Sequence, residues 1–412
     1  MEDKIPQSTI DSIAKYISDR NTKSYSIPVV GNESNIETPQ IFEIVPFDKI
    51  DEGSRKFYAI DGSVNTCSFY NGVSVGLYRA GYVCFQSGKQ VRMNDLDDPL
   101  ILGKSYVPKN ILVINAEHRE AVYDELLSLE PVKKFIDFLG GKLENIFPFN
   151  REQLCRSFSN ILAFCQEVLE WSLIYEIANR PEICAGDFIL VDGDLRCLQI
   201  KQDAIVKLGK FINGKKIIMV AITKNSPIKM ELSYTLRQID DYLQDKLKPT
   251  YPFSEKDPKR QKLCCWFEVP GTILMNAYGS SSGAMFIKKA ITGGRGVGLF
   301  FAARLDYVEK LQNYDWVIAD LNLFDAIPGI EKNATDKDVE KLKFIFQELT
   351  RLTQEHYILG YPYPLVEAHN FITLNSSFKE EIINRVKHSM YSAQRMDNVD
   401  IENMFLDIHS RF

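Results

Sequence analysis

Two Asp-Gly steps, Asp61 in YAIDGS and Asp192 in ILVDGDL, each close an apolar, β-prone run, and they lie far apart in the chain. A strand end followed by glycine is where a carboxylate can leave a sheet, enter a cleft and meet another from a neighbouring strand. Two carboxylates held together repel unless a cation shares them, so the pattern implies a hard divalent ion bound through oxygen, magnesium or manganese. His369 in GYPYPLVEAHN is expected near the start of a C-terminal helix, where it can join the same site. The chain offers no Ser or Cys with a recognisable base and orienting partner, so water held by metal is the expected nucleophile.

These residues need elements to position them. The stretch KFYAIDGSVNTCSFYNGVSVGLYRAGYVCFQ reads as three antiparallel strands, the first ending at Asp61 and the others separated by Asn-Gly and Ala-Gly turns. Residues 115 to 180 read as largely helical, with one long helix over about 151 to 179, and lead into the strand that ends at Asp192. KKIIMVAITK (215 to 224) is a further strand, followed by a candidate insertion at 226 to 262 and strand-like stretches near 263–269, 284–289, 297–306 and 315–321. Helix returns from about residue 338, broken by GYPYP. Ahead of all this, residues 5 to 22 carry Ile10, Ile13, Ala14 and Ile17 near helical spacing, and a polar arm follows to residue 38. Two divisions are therefore expected: 1–40, a helix and arm suited to partner docking or to packing on its own core, and 41–412, an α/β core with helical insertions at about 88–180 and 226–262.

Composition sets the limits. With 412 residues, 45% hydrophobic and 25% charged, the chain has the balance of an ordinary globular protein. No apolar run reaches the roughly 18 residues of a membrane span, and MEDKIPQSTIDSIAKYI lacks the apolar core of a signal peptide, so a cytoplasmic protein without membrane contact is expected. The eight cysteines (67, 84, 155, 165, 184, 197, 264 and 265) form no CxxC pair, which points to reduced thiols and against structural zinc. A net charge of −6 opposes wrapping of duplex DNA by bulk electrostatics. A basic channel or a partner's grip would reconcile the two, and clustered acidic ligands would themselves lower the charge.

The set AIDGS (59–63), LVDGDL (190–195), the strand with AITK (221–224) and GYPYPLVEAH (360–369) resembles the NurA nucleases, partners of HerA-type hexameric DNA translocases. Each motif alone is a common turn former, whereas their order and the terminal YPYPL…AH are specific. The resemblance implies an α/β, RNase H-like mixed sheet core with helical insertions and a C-terminal helical region. It also implies a homodimer with a central channel, and manganese- or magnesium-dependent DNA cleavage during end resection and repair, with a two-ion site. Carried over, Asp61 and Asp192 would be metal ligands and His369 would complete the site or assist the water. The family's glutamate on the preceding helix falls on Glu167, Glu170 or Glu176, with Glu170 favoured. Asp194 departs from the family's small residue and either adds a further carboxylate to the site or is a solvent-facing loop residue, the reading preferred. Lys224, Tyr361 and Tyr363 are candidates for substrate contact, each weighed against a solvated or packing role.

Two other readings differ in class. A binding module that docks a translocase with weak catalysis would share the fold, but the intact acidic set favours an enzyme. An actin-like phosphotransferase would need phosphate loops, and GGRGVG (293–298) lacks the GK[ST] ending of a P-loop.

Overall fold

A computed structural model describes residues 45–46, 54–68, 74–91, 111–195, 197–223, 226–230, 264–269, 299–305, 316–321, 336–353, 360–373 and 376–392, together with Asp11, Leu232, Leu236 and Glu402. Several expectations lie outside them: the N-terminal helix apart from Asp11, which is helical, the polar arm, Lys224, a strand at 284–289, the glycine-rich turns, and most of 226–262. The chain divides into two compact units, one of Gly53–Ala221, Leu321–Pro328 and Tyr363–Phe412, the other of Met1–Glu52, Ile222–Asp320 and Gly329–Pro362.

In the second of these, β1 (Val45–Pro46) pairs antiparallel with β8 (Cys265–Glu268), which pairs antiparallel with β9 (Leu299–Arg304), and β10 (Trp316–Leu321) follows β9 in the strand order. Trp266 of β8 stacks on Phe346 of α7 (Asp336–Arg351) with ring centroids 5.4 Å apart. Cys264 and Cys265 are buried with these strands, as KLCCWFEVP predicts.

The unit that carries Asp61 and Asp192 is built on β2 (Lys56–Ser68) and β3 (Ser74–Gln86), antiparallel over their full length. β4 (Lys89–Gln90) and β5 (Ile111–Ile114) both pair antiparallel with β3, while β6 (Phe188–Asp192) pairs parallel with β2 and has β7 (Ile218–Thr223) on its other side. The result is a mixed sheet. Phe57, Tyr58, Ala59 and Ile60 of β2, and Phe188, Ile189 and Leu190 of β6, are fully buried, the continuous apolar run of strands covered on both faces. The register is anchored at its start by buried Asp187, whose carboxylate accepts from the Lys56 N–H at 3.0 Å and the Cys184 N–H at 2.7 Å.

Helices α1 (Asn115–Ser128), α2 (Glu130–Leu139), α3 (Leu143–Ile146) and α4 (Arg151–Cys155) lead to α5 (Phe158–Asn179), which packs on β2 and β3. α4 starts with a capping box in which Asn150 and Gln153 bond each other's backbone. Ser157 then caps α5, so the expected single helix over 151–179 is two, broken where a side chain takes over the orphan N–H groups. Among the described residues of 88–180, helix starts at Asn115; ILVI just before it pairs as β5. α6 (Gln202–Gly214) connects β6 to β7. Farther on, α8 (Tyr363–Ile372) packs on β2 and β3 and is followed by α9 (Ser376–Ser392).

Three local expectations change. β2 does not end at Asp61 but continues to Ser68, with Asp61 opposite Gly81; the expected Ala-Gly turn therefore lies inside β3. His369 sits in the last turn of α8 rather than near its start, because the helix begins at Tyr363 with Pro364 in the first turn, where proline is tolerated. The two Asp-Gly steps also differ. Gly193 has φ +117°, a conformation costly for any other residue, whereas Gly62 is ordinary strand and its missing side chain is what matters: a Cβ there would lie 1.8 Å from Glu170 Oε1.

Substituting each glycine should separate the two reasons. Gly193→Ala is expected to cost about 1–3 kcal/mol, the range for a strained backbone position. Gly62→Ala should stay within about 1 kcal/mol of the parent, since the group displaced is the tip of a flexible side chain and loss of glycine restricts the unfolded chain. Urea unfolding of both variants tests this, and a larger loss for Gly62→Ala would reverse the assignment.

Candidate metal centre

Parallel register makes the site. Ile60 lies opposite Val191, so the next residues, Asp61 and Asp192, come level on adjacent strands and project to the same face. α8 packs on β2 and delivers His369 to them. One ligand atom from each of Asp61, Asp192 and His369 lies within 4.8 Å of the others, the one such group of His, Cys, Asp or Glu found among the described residues. His369 Nδ1 is 2.9 Å from Asp61 Oδ2, and Asp61 Oδ1 accepts from the Gly62 N–H at 2.7 Å.

The three differ in exposure. The Asp61 side chain is 11% exposed and that of His369 58% exposed, so the imidazole stands between the buried carboxylate and solvent. Burial, reinforced by the charge of Asp192, pushes the Asp61 carboxyl up to about 6, while the hydrogen bonds from His369 and the Gly62 N–H pull the other way. With Asp61 ionised, His369 Nδ1–H donates and Nε2 carries the lone pair, the orientation of a ligating or proton-accepting imidazole.

The three helix glutamates have separate fates. Glu167 accepts from Cys197 Sγ at 2.8 Å and from the Leu198 and Gln199 N–H groups at 3.0 and 3.2 Å, which ties down the loop after Asp192. Glu176 pairs with Arg180 at 3.9 Å, and Arg180 in turn donates to the Tyr82 hydroxyl at 2.8 Å. Glu170 remains. Its Oε1 accepts from Gln166 Nε2 at 2.9 Å and occupies the space that a side chain at position 62 would fill.

Alternation along β2 sends Asp61 and Gly62 to opposite faces, so His369 approaches one and Glu170 the other. Glu170 therefore stands outside the group of three. Desolvation first, then the charges of Asp61, Glu167 and Asp192, push its carboxyl up to about 8 against the Gln166 hydrogen bond.

The other candidates are not among the three. Asp194 is half-buried in the loop after Asp192 and outside the group. Tyr361 is 2% exposed and its hydroxyl donates to the Ile222 carbonyl at 3.1 Å, an arrangement of packing rather than of a ring open to a base. Tyr363 is half-buried, edge-on to Phe85 at 5.6 Å, and its hydroxyl is raised to about 12 by burial and its hydrogen bond to Glu367. Sequence reasoning passed over Asp187, Gln166 and Arg79. For Arg79 there was a signal, a lone arginine inside the apolar strand GLYRAGYV.

No protein-family model matches the chain, and no curated protein matches it. Among solved structures it is similar to the NurA nuclease from Sulfolobus solfataricus, at 14% identity and a TM-score of 0.43, over 95% of this chain and 96% of that one. It is also similar to NurA with manganese, at 12% identity, a TM-score of 0.33, and 94% and 99% coverage. A third is NurA bound to dAMP and manganese, at 12% identity, a TM-score of 0.36, and 97% and 99% coverage.

Metal-free stability should fall as pH rises. Folded carboxyls near 6 and 8, against ordinary values of 3.8 and 4.5, hold protons that the unfolded chain has released, so stability is fullest below about 4 and is lost toward pH 8. Glu170→Gln is expected to raise the urea midpoint at pH 8 in EDTA and to leave it unchanged at pH 4. A difference that stays constant across this range would contradict the assigned burial of Glu170.

Proposed function

We propose that this chain is a metal-dependent deoxyribonuclease, a phosphodiester hydrolase of NurA type. The observation that carries the reading is the meeting of Asp61, Asp192 and His369, drawn from three distant parts of the sequence, within 4.8 Å. The donor set fits a divalent ion: two carboxylates supply charge and hard oxygen, and one imidazole suits manganese while still admitting magnesium. Such an ion would offset the charge of the scissile phosphate and make water a competent nucleophile at neutral pH.

The residues do the rest. Asp61, held by the Gly62 N–H, and Asp192, at the end of β6, each offer one oxygen to the site. His369, oriented through Nδ1 by Asp61, offers Nε2 as a ligand. Glu170, the third carboxyl, holds a proton at neutral pH in the metal-free state. As a carboxylate it would be the residue to hold a second ion, on the face of β2 opposite His369. The sheet path β7, β6, β2, β3 with β4 and β5 beyond, antiparallel along the hairpin and parallel where β2 meets β6, supports an RNase H-like core. Among the described residues no helix is long and apolar enough to cross a membrane.

The finer reading rests on the motifs shared with NurA. It places the chain in DNA end processing inside the cell, as a homodimer working with a HerA-type hexameric ATPase, with Lys224 contacting phosphate and residues 1–40 docking the partner. Deleting residues 1–22 should then weaken co-elution with the hexamer, and undiminished co-elution would return that segment to the chain's own core.

Asp61→Asn and Asp192→Asn are each expected to lower manganese-dependent cleavage of linear DNA by 100-fold or more, on the order found for removal of a principal catalytic group. Circular dichroism should report an unchanged fold. Cleavage at the wild-type rate by either variant would refute the site, and manganese binding by the wild type without any cleavage would favour the binding-module reading. For His369→Ala, part of the lost rate should return as manganese rises; a rate flat in manganese with unaltered binding would make His369 a proton carrier instead.

A further inference from the structure

The helix that brings His369 to Asp61 ends where it needs a partner. The last turn of a helix leaves carbonyls without intrahelical donors, and α8 reaches that point three residues after His369. The His369 carbonyl is taken by Thr373, through its N–H at 2.8 Å and its hydroxyl at 2.6 Å. Three carbonyls farther on are taken by one side chain: Arg79 donates through Nη2 to Phe371 at 3.1 Å and Thr373 at 2.9 Å, and through Nε to Ile372. Arg79 comes from β3, where it lies opposite Ser63, two places along the ladder from the Asp61–Gly81 pair.

From this geometry, and resting on the metal-dependent reading above, we infer that Arg79 is a positioning residue for the metal centre: its guanidinium locks the last turn of α8 to the hairpin that carries Asp61 and so fixes the distance from His369 to Asp61. A guanidinium is suited to the task because its planar fork meets several acceptors at once, and its charge is favourable at the negative end of a helix dipole. Burial draws the Arg79 guanidinium below its ordinary value. A lysine would reach fewer of the carbonyls, and an apolar residue would leave them without this donor.

The test uses the full-length chain and manganese alone, with affinity read by titration calorimetry and cleavage of linear DNA read in parallel. Arg79→Ala is expected to weaken manganese binding about tenfold, the lower end of what loss of a ligand-orienting group costs. Arg79→Lys should fall between the variant and the parent. The distinguishing measurement is the pair with His369→Ala: once the imidazole is absent, Arg79→Ala should add little further loss of affinity, because its effect passes through His369. Lys207→Met serves as the control, since Lys207 donates to the Phe138 carbonyl at the end of another helix and should leave manganese affinity unchanged. Wild-type affinity in a folded Arg79→Ala, or losses that add fully with His369→Ala, would overturn the inference while leaving the nuclease reading in place. Failure of the wild type to bind manganese would overturn both, and manganese binding without cleavage would overturn the nuclease reading alone.

Discussion

Repulsion between Asp61 and Asp192 is the constraint to which the rest of this unit answers. The backbone leaves neither carboxylate a choice, because the parallel ladder from Phe57–Phe188 to Ile60–Val191 brings the two level at its end. A like-charged pair this close is costly while both are ionised, and burial first, then the charge of Asp192, raise the Asp61 carboxyl to about 6. His369 and the Gly62 N–H offset part of it. A divalent cation would offset much more, so the same features that strain the metal-free protein prepare it to bind an ion.

The helix α5 shows how one element can serve the site in several ways. Its apolar residues, among them Ile161, Phe164, Val168 and Leu169, bury it against the hairpin and neighbouring helices, which fixes its height and rotation. With the helix fixed, Glu167 clasps the backbone that follows Asp192, and Glu170, one turn on, faces the gap at Gly62. The glycine admits the carboxylate. Any larger residue at 62 would claim the volume that Glu170 Oε1 occupies, so a common dipeptide here carries a demand for space rather than for a turn.

α8 covers the other side with comparable economy of parts. Proline in its first turn sets where the helix begins, Thr373 and Arg79 set where it ends, and His369 is carried between them. The hairpin of β2 and β3 thus supplies both the carboxylate and the anchor for the helix that serves it. The buried Asp187 performs a similar office at the start of the parallel ladder, where its two oxygens hold Lys56 and Cys184.

Much of this was readable from residue order alone. The buried runs around Phe57 and Phe188, the helical stretch after residue 115 and the strand at 218–223 follow from hydrophobic pattern, because burial on both faces or on one stripe leaves a local signature. The candidates Asp61, Asp192 and His369 were likewise picked from type and setting. What sequence could not give was registry. Whether Asp-Gly ends a strand or lies inside one depends on what pairs with it, and Asp61 has Gly81 opposite, so β2 runs on. Nor could helical spacing choose among Glu167, Glu170 and Glu176, since each sits on a helix buried on most sides, and the choice was made by contacts with loop backbone, with Arg180 and with the empty place at Gly62. The lone arginine in GLYRAGYV marks Arg79 as unusual, but the distant partners of Arg79 and Asp187 belong to the tertiary level. They lie 292 and 131 residues away, and local pattern does not name them.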